Sequence, residues 1–200
     1  MNPDELSDDE RFDLLNETYD ALRCSQGGAS IWLIGGPETD RLWDATISAF
    51  VRGNWVATIL CAQATCERTL AALIHNVHAI GEQPKDWERW GLGGLMSYCR
   101  KENLVDSALL DQVSKLCEER KPYGHWRGPL DEGALQKIVL DAPEWGVSMT
   151  PDQIIERHLG DLALRSARTA LLVHFGDLYH PDKIGRDAFG RSASESPRQT

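Results

Sequence analysis

Residues 42–77 decide the fold class, and they read LWDATISAFVRGNWVATILCAQATCERTLAALIHNV. Apolar side chains recur in this stretch at the helical spacings of three and four, and no proline occurs between Glu38 and Gln83. Gly53 and Asn54 interrupt the pattern once. The stretch therefore predicts two helices that meet at a bend near Gly53.

The segments on either side of this stretch also have helical periodicity. The predicted helices cover residues 8–24, 95–101, 109 to the break at Pro122, 135–140, and 151 to about 179. Residues 31–34 are apolar, and we expect a packed loop there because no strand partner follows. The sequence thus predicts an all-α, up-and-down bundle of about five to seven helices. We expect one domain over residues 1–180 and a disordered tail over residues 181–200.

The composition limits the classes of function. A 200-residue chain with a net charge of −10 is not expected to bind nucleic acid or an anionic membrane over its whole surface, so any nucleic-acid site must be local. Neither a membrane span nor a secretory signal is recognisable, and we expect a cytoplasmic protein. The five cysteines form no C-x-x-C pair, and His75 and His78 lack a third ligand at a suitable spacing. We therefore predict neither a metal site nor a cofactor.

Residues 116–127, LCEERKPYGHWR, are the most informative for chemistry. On a regular helix Arg120 and His125 would lie about 140° apart around the axis, but Pro122 and Gly124 supply a distortion that can bring them together. Such a pair can act on a phosphodiester, because imidazole moves a proton and guanidinium stabilises charge on the phosphate. On spacing alone, the alternative is a basic cluster that complements the helix dipole.

The same residues resemble a known superfamily. The segment Arg120–His125 fits the R-x(4–6)-H motif of HEPN domains, the "higher eukaryotes and prokaryotes nucleotide-binding" helical bundles. Residues 49–58 with Glu67 resemble that superfamily's bent helix pair and its internal glutamate. Residues 92–98 resemble the short helix before the motif helix. The resemblance covers roughly residues 38–127, together with a closing helix from residue 151.

The resemblance implies a metal-independent endoribonuclease, often the effector of a toxin–antitoxin or phage-defence system. Arg120 would contact the scissile phosphate and His125 would be the general acid/base, leaving a 2′,3′-cyclic phosphate. The partners implied are RNA or a nucleotide, a second copy that places two motifs in one cleft at the two-fold interface, and an antitoxin. Lys121 stands where the family commonly has Asn or another small polar residue. The alternative is therefore a non-catalytic HEPN-like module that binds a nucleotide or a protein.

Five further residues are candidates for supporting or substrate-binding roles. Lys121 and Tyr123 lie inside the motif. Trp126 would stack on a base or close a dimer contact, and Arg127 would hold a flanking phosphate or form a solvated salt bridge. Glu67 lies on an apolar helix face, where an unpaired carboxylate is costly, so we expect it to have a buried partner. It would either orient the motif pair or serve a structural contact.

Overall fold

The computed structural model describes residues 2–25, 35–78, 83–125 and 128–176. Within these ranges the chain forms eight α-helices, one of them a single turn, and no β-strand, which confirms the all-α bundle. The helices are α1 (Asp8–Ser25), α2 (Gly36–Val51), α3 (Trp55–Val77), α4 (Leu92–Lys101), α5 (Ser107–Glu119), α6 (Lys121–Gly124), α7 (Leu135–Asp141) and α8 (Pro151–Phe175). None of them has the length and apolar content of a membrane-spanning helix.

Two of the regions predicted from the sequence, the packed loop at residues 31–34 and the tail at residues 181–200, lie outside the described residues. The prediction of a final helix to about residue 179 is wrong, because α8 ends at Phe175 and the backbone of Gly176 is extended.

The bend between α2 and α3 is formed by residues 52–54. Gly53 has a φ of +69°, which is a backbone conformation that disfavours residues with a Cβ atom. Asn54 caps α3, because its side-chain oxygen accepts a hydrogen bond from the N–H of Ala57 at 3.4 Å. The predicted helix pair and its bend are therefore confirmed.

Helices α3 and α8 form the centre of the bundle, and two groups of buried apolar side chains surround them. We call the first group the Phe50 cluster; it consists of Leu14, Leu15, Phe50, Trp55, Ile59, Leu159, Leu162, Ala163 and Ala167. The larger Leu70 cluster consists of Leu22, Trp43, Ala62, Cys66, Leu70, Leu73, Ile74, Leu92, Leu95, Cys99, Leu104, Val105, Leu109, Leu110, Val113, Leu116, Ala170, Leu171 and Val173. Both α3 and α8 thus contribute side chains to both clusters.

One buried histidine lies in the core between α2, α3 and α8. His174 Nε2 is 3.4 Å from Asp40 Oδ1, and Nδ1 is 3.5 Å from Thr69 Oγ1. Burial lowers the pKa of His174, and the nearby Asp40 only partly opposes this effect. The folded state therefore favours the neutral imidazole at this position.

Candidate functional site

The R-x(4–6)-H motif lies at a break between two helices. Helix α5 ends at Glu119, and the single turn α6 begins directly after Arg120. Pro122 has no backbone N–H and lies at the start of this turn, where helical hydrogen bonds do not need one. The turn ends at His125, whose backbone is extended, with a φ of −139° and a ψ of 147°. The break predicted at Pro122 is confirmed.

The guanidinium group of Arg120 folds back over Gly124. Its Nη1 atom lies 2.7 Å from the position that a Cβ atom on Gly124 would occupy. Any larger residue at position 124 would therefore displace the guanidinium. Because Gly124 directly precedes His125, this conformation brings the charged end of Arg120 to the backbone next to the histidine of the motif.

The donor groups of Arg120 are incompletely used. The side chain is half-buried, and its Nε atom is buried without a hydrogen-bond partner. The guanidinium also makes no ion pair with any carboxylate in the part of the chain that the structure describes. Guanidinium binds phosphate oxygens through two parallel N–H donors, so this group is suited to an external anion.

The side chain of His125 is exposed at the end of α6. Within residues 2–25, 35–78, 83–125 and 128–176, no hydrogen bond orients its ring. An exposed imidazole is accessible to a substrate or to a second copy of the chain. Trp126 and Arg127, the two predicted supporting residues that follow it, lie outside the described residues.

The two other predicted residues inside the motif make internal contacts. Lys121 Nζ forms an ion pair with the carboxylate of Glu118, one turn earlier. Tyr123 is half-buried and packs against the Phe50 cluster. Burial raises the pKa of Tyr123 to about 12, and the negative charge of Glu119 adds to the effect. Tyr123 is thus a protonated phenol that anchors the motif to the core.

Glu67 does not have the buried partner that we expected from its sequence context. It is half-buried on α3 and makes no hydrogen bond or ion pair to another described residue. The buried face of the helix passes through Cys66 and Leu70, whereas Ala64 and Ala71 are only half-buried. At about 100° per residue, Glu67 lies between the buried Leu70 and the half-buried Ala71 around the helix axis, and its carboxylate can remain hydrated at the edge of the buried face.

A cleft of about 570 Å³ opens between α1, α5 and α8, next to the motif. Its lining residues are Glu17, Thr18, Ala21, Gln112, Lys115, Leu116, Glu119, Arg165, Ser166, Arg168, Thr169 and Leu172. Arg165 Nη2 donates to Glu119 Oε1 at 3.4 Å, and Lys115 Nζ lies 4.0 Å from the same atom. Arg168 Nε donates to Thr18 Oγ1 at 3.1 Å. The sequence did not predict this cleft, because its lining residues come from three helices that are distant in sequence.

His158 lies on the face of α8 that extends from this cleft toward the end of α5. Asp161 and Arg165 follow it by three and seven residues, which places all three on one helix face. Burial lowers the pKa of His158 and nearby Arg165 lowers it further, while Glu119 and Asp161 oppose the shift. A second imidazole, mainly neutral at pH 7, therefore lies on this face of α8, where it experiences the negative charge of Glu119. The helical spacing of His158, Asp161 and Arg165 is the sequence signal that could have identified His158 as a candidate site residue.

Comparison of the chain with protein-family models, with curated proteins and with solved structures found no match. Among the described residues, no three His, Cys, Asp or Glu side chains are grouped so that they could hold a metal ion.

Proposed function

We propose that this chain is an HEPN-like, metal-independent endoribonuclease whose catalytic residues are Arg120 and His125. The observation that carries the proposal is the position of the Arg120 guanidinium, which lies over Gly124, the residue before His125, without a carboxylate partner among the described residues. A phosphate bound there would meet a permanent positive charge and an accessible imidazole at the same turn of the backbone.

The proposed reaction needs no reactant besides the RNA itself. The ribose 2′-oxygen attacks the adjacent phosphorus and loses its proton, while the bond from phosphorus to the 5′-oxygen breaks and that oxygen gains a proton. The products are a 2′,3′-cyclic phosphate and a 5′-hydroxyl. His125 carries out one of the two proton transfers, with solvent available for the other, and Arg120 stabilises charge on the nonbridging phosphate oxygens.

The proposal includes a homodimer and a cellular role. The exposure of His125 is compatible with a two-fold pairing in which the motifs of two copies line one cleft. A ribonuclease of this kind would act in the cytoplasm as a toxin or a phage-defence effector, restrained by an antitoxin that covers the motif.

A second candidate function is a non-catalytic module that binds a nucleotide or a protein. Two observations favour it. The charge of Lys121 is offset by Glu118, and the ring of His125 has no orienting partner in the described ranges, whereas catalytic imidazoles are usually oriented by a third group. In this candidate function, Arg120 binds a phosphate that is not cleaved.

The experiment that distinguishes the two functions is an RNA cleavage assay in EDTA with analysis of the product ends. Wild-type protein is compared with His125→Ala, Arg120→Ala and the control His75→Ala, which removes another exposed histidine from α3. We expect cyclic-phosphate ends from wild type and from the control. Loss of general acid/base catalysis lowers the rate by about a hundredfold or more in His125→Ala. Intact RNA with all four proteins would reject the nuclease and favour the binding module.

A further inference from the structure

We propose that the cleft between α1, α5 and α8 binds a nucleotide of the RNA strand next to the cleaved phosphodiester. The inference rests on the proposed function and adds the residues that would hold the substrate outside the motif. Helix α5 connects the two sites directly, because the N–H of Arg120 donates to the carbonyl oxygen of Leu116, which lines the cleft, at 3.0 Å. Four residues correspond to about 6 Å along the helix axis, so the cleft begins within about 6 Å of the motif.

The cleft is locally positive on a chain with a net charge of −10. It has three cationic side chains, Lys115, Arg165 and Arg168, and two carboxylates, Glu17 and Glu119. Arg165 and Lys115 both lie near Glu119, so their two positive charges exceed the single negative charge of that carboxylate. A phosphate backbone is attracted to such a local excess of cations.

Arg168 is the residue in the cleft best placed to bind a phosphate. It is half-buried, and its Nε donates to the neutral hydroxyl oxygen of Thr18 at 3.1 Å. It forms no ion pair within the described part of the chain. Its charge is therefore held in position by a hydrogen bond and is not paired with a carboxylate of the described residues, which lowers the entropy cost of binding an anion.

The apolar side chains of the cleft fit a nucleobase better than a second phosphate. Ala21, Leu116 and Leu172 supply apolar surface, and the carboxylate of Glu17 can accept hydrogen bonds from an exocyclic amino group. The volume of about 570 Å³ is in the usual range for small-ligand sites, roughly 300–1,000 Å³. The base of one nucleotide would lie against the apolar wall, with its phosphate at Arg168.

The test measures binding separately from cleavage. A short fluorescein-labelled single-stranded RNA carries a 2′-O-methyl group at every position, so it lacks the attacking hydroxyl. Its affinity is measured by fluorescence anisotropy at several salt concentrations for wild type, Arg168→Gln, Arg168→Lys and Arg68→Gln. The last variant is the matched control, because Arg68 is exposed on α3, outside the cleft, and also makes no ion pair with a described carboxylate.

We expect Arg168→Gln to bind the RNA about tenfold more weakly than wild type, because it loses one charged hydrogen bond to the phosphate. The slope of log affinity against log salt should decrease by about 0.7, which corresponds to one phosphate contact on a single strand. Arg168→Lys should retain the slope, and Arg68→Gln should behave as wild type. Circular dichroism checks that each variant remains folded.

The outcomes separate this inference from the proposed function. Equal binding by wild type and a folded Arg168→Gln protein overturns the cleft as an RNA site, even if wild type cleaves RNA. Loss of binding in Arg168→Gln together with no cleavage by wild type supports the cleft and rejects the nuclease. A wild-type protein that does not bind the RNA at low salt also overturns the inference, and leaves a protein partner as the candidate occupant of the cleft.

Discussion

Replacing Gly124 by alanine should move the Arg120 guanidinium and leave the stability of the fold nearly unchanged. The new Cβ atom would lie 2.7 Å from Arg120 Nη1, closer than a methyl carbon and a nitrogen atom can approach, so the guanidinium must move. The atom that moves is the end of a flexible side chain, and Gly124 itself is exposed. Alanine in a helix is favoured over glycine by up to about 1 kcal/mol, which offsets the cost of the displacement. The free energy of unfolding should therefore change by less than about 0.5 kcal/mol.

Gly133→Ala, on the loop that faces Pro122, is a matched substitution that should lower the stability of the fold. Gly133 has a φ of +79°, and a Cβ atom there would lie 3.2 Å from Cγ of Pro122. An alanine in this left-handed conformation costs about 1–2 kcal/mol. For a chain of this length, 1 kcal/mol corresponds to about 2–4 °C in melting temperature. Gly133→Ala should therefore melt about 2–8 °C below wild type, and Gly124→Ala within about 2 °C of it.

The assay combines thermal unfolding, followed by circular dichroism, with RNA cleavage in EDTA. Gly124→Ala should cleave RNA about a hundredfold more slowly, because a displacement of about 1 Å at a catalytic group can have an effect of this size. A folded Gly124→Ala protein that cleaves at the wild-type rate, while Arg120→Ala does not, would refute the catalytic position assigned to the guanidinium. Equal destabilisation by the two alanine substitutions would refute the local geometry itself.

Three further predictions concern stability and reactivity. Burial lowers the pKa of His174, so protonation favours the unfolded state and the free energy of unfolding should fall as the pH falls below 6.5. His174→Gln should reduce the slope of the free energy of unfolding against pH by up to about 1.4 kcal/mol per pH unit, measured by urea titrations. Thr150→Ala removes the cap of α8 and should cost about 1 kcal/mol, measured by the same titrations. At neutral pH a thiol reagent should modify the exposed Cys24 first, whereas Cys66 and Cys99, buried and with their pKa values raised to about 12, should react only on unfolding.

Each of these three predictions has a result that would contradict it. An acid-side slope that is unchanged in His174→Gln would mean that the imidazole is not held neutral in the folded state. Thr150→Ser keeps the hydroxyl acceptor and should retain wild-type stability, so an equal loss in both variants would argue against the cap. Mass spectrometry of partially labelled protein identifies the order in which the thiols react, and early labelling of Cys66 would contradict its burial.

The helices were predictable because local residues determine where they begin and end. The bend at Gly53, the break at Pro122 and the start of α8 at Thr150 each depend on a residue whose backbone or side-chain preference acts within one turn. The capping box at Thr150 illustrates this. Its hydroxyl oxygen accepts from the N–H of Gln153 at 3.3 Å, while the Gln153 side chain accepts from the N–H of Thr150 at 2.9 Å.

The cleft could not be predicted, because it depends on how three helices pack. Thr18, Lys115 and Arg168 come from α1, α5 and α8, and nothing in their local sequence indicates that they meet. Glu67 shows a second limit. Helical periodicity predicts which face of a helix is buried but not how far burial extends around it, so a residue at the margin can be assigned a buried partner that it does not need.

The position of the motif between the two apolar clusters has a consequence for its motions. Leu116 belongs to the Leu70 cluster and Tyr123 packs against the Phe50 cluster, so the segment with Arg120 is attached to the core on both sides. Helix α8 contributes to both clusters, which couples them into one cooperative unit. Amide hydrogen exchange at Arg120 should therefore require global unfolding instead of local opening. A backbone fixed in this way would leave only the side chain of Arg120 to be ordered when a phosphate binds.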